Sequence, residues 1–394
     1  MKVAFVSNYL QHHQIPVCEA LVQRLGDGFH FIQSQKPPEE YLKNGYDLHE
    51  NEPYQINSYQ SEAAYQKAFD VCMECDVLIH TYFTEQVVKE RLRQGKLTFR
   101  YSERILKKGL LRALDPRIVR FVYSQHTQYR DQNLHLLCAS AYMAGDMKLF
   151  HAYPGKVWKW GYFPPAIPYS WEDLAAKKKK HVPRLLWTGR FLKWKHPDDA
   201  LVTAARLREA GFVFTMEMVG GGPQEKLLRA LCSRLRLDDI VTFPGLLPHE
   251  KVREHMEEAD IFLFTSDYQE GWGAVVNEAM NSGCALVASH AAGSVPFLIQ
   301  QGKNGLIYKS GDADELFRQT ARLLSDSQLT QSLGRAALET ATGEWSASRA
   351  AEQFLRLSEA LLRGETPDIP TGPCSPAPYV GQSEIYRMCM KGTM

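Results

Sequence analysis

The chain has 394 residues, a length that accommodates two or three domains, and its 44% hydrophobic and 23% charged content is that of a globular protein with sizeable cores. A net charge of +1 removes the electrostatic reason to take nucleic acid as the default partner. No apolar run approaches the eighteen or so residues of a membrane span, and the opening 1–6 run is too short for a signal peptide, so a cytoplasmic chain is expected.

Apolar runs of strand length alternate with helix-period runs from end to end, the pattern of α/β architecture with parallel sheets. In the first part, strands are expected at 2–7, 28–33, 54–58, 76–80, 97–102, 134–140 and 156–161. Helices are expected between them, 15–25 and 63–74 for example, and 110–130 reads as a long, basic, mostly helical stretch with Pro116 early in it. The eight cysteines are scattered, which fits a reducing compartment, and the lone Cys72-x-x-Cys75 lacks the second pair of a metal site. The first domain is placed at 1–165. A linker is placed at 166–183, on the proline run Phe163-Pro164-Pro165-Ala166-Ile167-Pro168 and the four lysines 177–180. A second α/β domain is placed at 184–343, with strands at 185–188, 215–219, 240–243, 261–264, 285–289 and 305–308. Helices are expected at 327–342 and 346–362. The segment 365–394, with five prolines, is expected to be an extended surface tail or disordered.

Two α/β domains place ligands at the carboxyl ends of strands, in the cleft between the domains. After the strand at 261–264, Thr265 and Ser266 lead to Gln269-Glu270-Gly271-Trp272-Gly273-Ala274-Val275-Val276-Asn277-Glu278-Ala279-Met280. Gly271 and Gly273 permit a tight turn. A helix is expected over 274–282, stopped by Gly283. Glu270 then lies in the loop, helix amides form an anion cradle, and Glu278 lies about 7 Å further along the axis. That order fits a sugar, a pyrophosphate and a ribose, because carboxylates accept paired hydrogen bonds from vicinal hydroxyls. Alone, the pair is equally an acidic loop residue and a solvent-facing helix acid.

Three more strand-end loops bear on this. Arg190 and Lys195, in Gly189-Arg190-Phe191-Leu192-Lys193-Trp194-Lys195, suit a diphosphate, or form a solvated basic loop. Gly220-Gly221-Gly222-Pro223 permits close backbone approach to a ligand, or simply a tight turn. The Gly245 loop in Phe243-Pro244-Gly245-Leu246 offers backbone groups to a nucleobase edge.

Together these loops resemble the nucleotide-binding domain of glycosyltransferase family 4, retaining enzymes of the two-Rossmann-domain (GT-B) fold. The family's Gly-Arg with a Lys five residues on is matched by Arg190 and Lys195, and its Val-Gly-x-Gly-Pro turn by 219–223. Its Phe-x-Gly loop is matched by 243–245, and its Glu-Gly-x-Gly-(four)-Glu-Ala signature by 270–279. The resemblance covers about 184–342. It implies a donor site in which Arg190 and Lys195, beside Gly189, hold the diphosphate and Glu278 the ribose hydroxyls. Glu270 would contact the sugar hydroxyls at the reacting centre. The amides of Gly271, Trp272, Gly273, Ala274 and Val275 would line the sugar and phosphate, with Gly221 and Leu246 toward the nucleotide.

The first domain matches less well. Where the family has glycines after its first strand, this chain has Asn8-Tyr9-Leu10-Gln11-His12-His13-Gln14. His12, His13 and Gln14 are candidates for acceptor or phosphate contact, or belong to an ordinary loop. Where many members carry a histidine after the strand at 97–102, this chain has Glu103, which either takes its place beside the anomeric centre or pairs with Arg104. His126 is expected on a helix away from the site. The segment 104–112 mixes cations with aliphatics and is expected to dock at a membrane face or to be a solvated amphipathic helix.

The reading is a retaining, hexosyltransferase-type glycosyltransferase that moves a sugar from a UDP- or GDP-sugar to the hydroxyl of a glycan or glycolipid. Two Rossmann-like domains would face each other across a cleft, with the 344–364 helix crossing back to the first domain. No cofactor or metal is required, since Arg190, Lys195 and helix amides can carry the diphosphate charge. Peripheral contact with the inner membrane face is expected, and no nucleic acid. A nucleotide-sugar epimerase of the same fold and a non-catalytic nucleotide-sugar-binding protein are the alternatives.

Overall fold

Two parallel sheets organise the computed structural model, which describes residues 1–38, 52–178 and 182–394. The chain divides into two units. The first is Met1–Pro165 with Trp345–Gly381, and the second is Ala166–Glu344 with Gln382–Met394.

In the first unit the strands are β1 (Val3–Ser7), β2 (Phe29–Gln33), β3 (Gln55–Asn57), β4 (Val77–His80), β5 (Thr98–Ser102), β6 (Leu134–Cys138) and β7 (Val157–Lys159), in the spatial order 3-2-1-4-5-6-7. β1 is buried along its whole length, as expected of a parallel sheet covered on both faces. The covering helices include α1 (Ile15–Leu25), α2 (Glu62–Glu74), α3 (Glu85–Arg93), α4 (Pro116–Gln125) and α5 (Met143–Leu149). Arg91 of α3 is fully buried and donates to the carbonyls of Cys72, Cys75 and Leu97 at 2.7–2.8 Å. The Cys72-x-x-Cys75 turn is therefore held by an arginine. Both thiols are pushed above their ordinary value by burial.

The second unit begins with α6 (Trp171–Lys178). It continues as β8 (Arg184–Thr188), α7 (Pro197–Glu209), β9 (Thr215–Val219), α8 (Glu225–Arg234), β10 (Val241–Gly245), α9 (His249–Glu258) and β11 (Ile261–Phe264). It ends with α10 (Val275–Asn281), β12 (Ala285–Ser289), α11 (Val295–Leu298), β13 (Leu306–Tyr308), α12 (Ala313–Ser325) and α13 (Ser327–Thr342). Its sheet order is 10-9-8-11-12-13. Both sheets reverse their winding next to their first strand, between β1 and β4 and between β8 and β11. Such switch points are where open α/β sheets bind ligands.

The remaining helices are α14 (Ala347–Leu362), which belongs to the first unit, and α15 (Gln382–Lys391), which belongs to the second. Arg24 of α1 bonds Ser348 of α14 at 2.9 Å, and Phe354 of α14 packs on Phe99 and Trp160.

Three expectations need correction. The 166–183 linker contains α6, which is part of the second unit's packing. Leu174 is buried, Lys178 donates to the Met256 and Ala259 carbonyls, and a side chain at Gly283 would press on Leu174 and Trp171. Lys177 and Lys178 of the four-lysine run are thus the end of a helix, and 179–180 lie outside the described residues. The stretch 110–130 is mostly helical, as expected, but in three short pieces, Leu110–Leu114, α4 and Thr127–Tyr129. Pro116 cannot continue a helix from the preceding turn, so Leu110–Leu114 is a short 3-10 turn and Asp115 caps α4 through the Arg117 amide. The segment 104–109 has no helix at all. The proline-rich tail is largely at the surface, as expected, but it is tied down at 374–377 and ends in the helix α15 rather than staying extended. Cys374 and Ser375 are buried, and the amides of Cys374 and Ala377 bond the Lys159 and Val157 carbonyls along the edge strand β7. Proline lacks the donor such pairing needs, and here the donors are the non-proline residues between prolines.

Candidate active site

In the second unit, the loops after β8, β9 and β10 lie directly on one another. The Phe191 amide donates to the Gly221 carbonyl at 2.8 Å, and the Gly220 amide to the Gly245 carbonyl at 2.9 Å. A Cβ on Gly220 would collide with the Gly189 carbonyl, and one on Gly222 would stand 2.9 Å from the Phe191 backbone. The glycine run is therefore required by loop-on-loop packing, whatever it offers a ligand. A Cβ on Gly221 would touch the Leu246 side chain at 3.0 Å, and Leu246 itself is exposed. Arg190 is exposed, and its side chain makes no hydrogen bond among the described residues.

Lys195 and Glu270 meet. Their charged atoms are 2.5 Å apart, and the side chains are 13% and 12% exposed. The Ser266 hydroxyl adds a 3.1 Å bond to the same carboxylate oxygen, and the Lys195 ammonium also lies 4.7 Å from the Trp194 ring. Gly273 takes a positive φ of 90° with Phe264 behind it, which only glycine accommodates. Beyond it, α10 is shorter than the expected 274–282 helix. Among the described residues, the amides of Gly271, Gly273, Ala274 and Val275 make no hydrogen bond. Trp272, expected among the donor contacts, has its indole fully buried, with Nε1 donating to Asn277 at 2.9 Å. The side chain is core, so only its backbone can face a ligand.

Glu278 is buried within α10. Its carboxylate lies 3.1 Å from His249 Nε2, and this bond holds the His249 pKa above its ordinary value. Arg253 donates to the Glu278 carbonyl at 2.7 Å. Neither partner was expected from the sequence. The available signal was their i, i+4 spacing on α9, which puts both on one face of a helix following the Gly245 loop. One further cluster, His196, Asp198 and Asp199, brings potential metal-ligand atoms within 4.8 Å of one another. His196 is also 3.3 Å from Asp267.

In the first unit, a cavity of about 390 Å³ at the ends of β1 and β5 is lined by Asn8, His13, Gln14, Glu103, His126 and Tyr162, among others. It gathers residues that were weighed separately in the sequence. His13 is buried and stacked on Tyr162, with ring centroids 3.7 Å apart, and burial keeps it neutral. His12 does not line the cavity and packs edge-on against His13. Glu103 does not pair with Arg104. It bonds the Tyr162 hydroxyl at 2.5 Å and pairs with Lys107, while Arg104 pairs with the buried Asp146 at 2.9 Å. His126 is not remote. It ends α4 and lines the cavity, with Nδ1 2.6 Å from the Tyr153 hydroxyl, and burial brings its pKa down to about 3.

Residues 171–340 match the family model described as glycosyl transferases group 1. Over 150 residues, 37% of this chain and 36% of the relative, the chain is 31% identical to the Salmonella typhimurium protein named as colanic acid biosynthesis glycosyltransferase WcaL. It is 30% identical over 150 residues, 36% of this chain and 37% of the relative, to the amylovoran biosynthesis glycosyltransferase AmsK of Erwinia amylovora. The chain thus spans little more than a third of the length of these curated relatives. The likeness to Anabaena Alr3699/HepE, crystallised in complex with UDP, covers 92% of this chain and 99% of that one, with a TM-score of 0.67 and 16% identity. The architecture is the two-Rossmann-domain GT-B fold, and residues 171–340 are similar to the family of glycosyl transferases group 1.

Proposed function

We propose that the chain is a retaining glycosyltransferase that moves a hexose from a nucleoside-diphosphate sugar to a hydroxyl of a glycan or glycolipid acceptor, in polysaccharide or glycolipid assembly. The observation that carries this reading is the strand-end face of the second unit. Lys195 beside Glu270, the unbonded amides of Gly271, Gly273, Ala274 and Val275, and Glu278 beside His249 follow one another there. In this reading Lys195 and Arg190 neutralise the diphosphate in binding and as it departs. The Gly271–Val275 amides donate to its oxygens, Glu278 accepts from the ribose, and Glu270 accepts from the sugar while holding Lys195 in place. Gly189, Gly221 and Leu246 complete the nucleotide side. This charge balance needs no metal. The complex of Anabaena Alr3699/HepE with UDP favours UDP as the first nucleotide to test. Retention rests on the resemblance of 270–279 to a retaining signature. Glu103, held by Tyr162 and Lys107, is the first-unit candidate to steady the anomeric carbon or to orient the attacking hydroxyl.

A glycolipid acceptor is favoured by one surface of the first unit. Leu111 is 84% and Leu114 78% exposed, Phe121 and Tyr123 are exposed beyond them, and Lys108, Arg112, Arg117 and Arg120 are interspersed with them along the chain, Arg117 being paired with Asp115. Exposed aliphatic side chains among cations suit an anionic bilayer face, where each cation near the surface adds about 1 kcal/mol of attraction. Co-sedimentation should occur with phosphatidylglycerol vesicles and not with phosphatidylcholine. Equal recovery with both would remove the membrane from the reading.

Activity is tested by incubating the protein with UDP- and GDP-sugars, alone and with oligosaccharide acceptors, and following the first-formed product by NMR. Transfer with the donor's anomeric configuration kept is expected. An inverted linkage, or epimerisation of the donor without acceptor, would replace the proposal.

A further inference from the structure

The loops that follow β11, β12 and β13 are tied together around one buried imidazole. His290, the residue after β12, is 3% exposed. Its Nδ1 lies 3.0 Å from the Ser310 amide beyond β13, and its Nε2 lies 2.9 Å from the Tyr268 hydroxyl beyond β11. An amide can only donate, so Nδ1 is the acceptor, the ring proton sits on Nε2, and it is given to the Tyr268 oxygen. Burial holds the His290 pKa down at about 4, so the ring stays neutral at pH 7 and the Ser310 amide sets its tautomer. Further along the same loop, the Gly293 and Ser294 amides donate to the Glu270 and Trp272 carbonyls at 3.3 and 3.1 Å. The loop after β12 thus grips the loop after β11 twice, by a side chain just ahead of Glu270 and by backbone from Glu270 onward.

The end of the chain closes over this point. Tyr386 of α15 packs its ring against His290, with centroids 4.8 Å apart, and its hydroxyl bonds the Glu315 carboxylate at 3.0 Å. Glu315 is fixed in turn by the Lys309 amide at 2.7 Å. Ile385 and Cys389 of the same helix are buried, and α15 packs on α11, which begins directly after Ser294. Apolar side chains would fill this space without any polar atom to satisfy. A buried histidine between two tyrosines needs a partner for each of its nitrogens, and a network satisfied in this way fixes one arrangement of the groups it joins. The arrangement fixed here is that of the loop carrying Glu270.

We infer that the C-terminal helix α15 braces the Glu270 loop, with Tyr386, His290 and Tyr268 as positioning residues. The Tyr386 ring sets the plane of His290, and His290 Nε2–H holds Tyr268, which stands just ahead of Glu270 in the loop. The inference rests on the proposed function only in naming Glu270 as a contact of the donor sugar. The brace itself is independent of any ligand.

The test compares hydrogen exchange, read by mass spectrometry, in full-length wild type, Tyr386→Ala and Tyr268→Phe. Fragments covering 266–276 and 290–294 should exchange at least about fivefold faster in both variants, with strands β8 to β13 unchanged. Tyr268→Phe removes a single oxygen, so it decides the matter even if Tyr386→Ala unfolds α15. Transfer is then measured with whichever UDP- or GDP-sugar the wild type turns over. The rate constant should fall at least about tenfold in both variants while affinity for UDP or GDP stays within about threefold, a split that a general loss of stability would not produce. Unchanged exchange at 266–276 in both variants, exchange raised evenly across the second unit, or nucleotide affinity lost in step with the rate overturns the inference. Faster exchange confined to the two loops, in a protein that binds neither UDP nor GDP, overturns the donor reading and leaves the brace. Nucleotide binding with unchanged exchange does the reverse.

Discussion

Replacing Lys195 by methionine would strand the Glu270 carboxylate in a nearly dry site, with one hydroxyl, Ser266, still bonded to it. Breaking a buried ion pair on one side costs about 3–5 kcal/mol, and the residual exposure of both side chains argues for the lower end, about 3 kcal/mol. For a unit of this size that is a fall of about 6–12 °C in its melting temperature. The double variant Lys195→Met/Glu270→Gln removes both charges. Replacing both partners of such a pair is often close to neutral, so the melting temperature should return to within a few degrees of wild type. Ligand affinity should not return with it. If Lys195 bonds the diphosphate, its loss costs about 1.5–3 kcal/mol of binding, about 10- to 150-fold in Kd for UDP or GDP by calorimetry. The double variant thus separates fold from function. Restored stability with full nucleotide affinity would refute Lys195 as a phosphate ligand. A Lys195→Met protein as stable as wild type would refute the structural importance of the pair.

Arg190→Ala and Glu278→Gln should each weaken nucleoside diphosphate binding by about 1.5–3 kcal/mol in the same calorimetric assay. Unchanged affinity in both would move the donor site elsewhere. Glu103→Gln should lower the rate constant for transfer at least about a hundredfold while donor affinity stays nearly constant. Turnover near wild type would leave Glu103 as a tether for Tyr162 and Lys107 only. His13, His80, His126, His135 and His290 are all held below their usual pKa, first of all by burial, with His126 and His135 near 3 and His290 near 4. The unfolded chain takes up those protons near pH 6.5 and the folded one does not. Stability should therefore fall as pH drops below about 6.5, by up to about 1.4 kcal/mol per pH unit for each histidine. His196 and His249, raised by bonds to Asp267 and Glu278, work in the opposite sense and offset part of this. A urea midpoint at pH 5 equal to or above that at pH 7 would contradict the assignment.

Strands were legible because a parallel sheet covered on both faces demands continuous apolar runs, and runs such as Ile261–Phe264 admit one reading. The same signal misled where a side chain has two uses. Lysines at 177–178 read as part of a linker, yet Lys178 donates its ammonium to carbonyls left over at the end of α9. Trp272 sits between two glycines of the candidate donor loop but turns its ring into the core, a choice that depends on the direction of a side chain rather than on spacing. The Lys195–Glu270 pair joins positions 75 apart, and each was assigned a ligand without reference to the other. His126 was expected on a helix away from the site, since nothing in the local pattern shows where that helix ends. The β5–β6 pairing and the break at Pro116 fold it back into the Glu103 cavity.

The chain passes between its two units three times, at 165, 344 and 381. This sets an order of events during synthesis. The sheet of the first unit is complete by Lys159, yet the Phe99 and Trp160 surface on which Phe354 lies is uncovered until α14 has been made, and the edge of β7 until 374–377 has been made. At about 5–20 residues per second, that leaves an apolar face and an open strand edge waiting for about 10–40 s after residue 165. Meanwhile the second unit, later in sequence, receives all six of its strands by Tyr308, but its last helix, α15, whose Tyr386 bonds Glu315, only after residue 381. Each unit is thus completed by a segment translated after the other unit's sheet, and neither closes before the chain beyond Glu344 has been made.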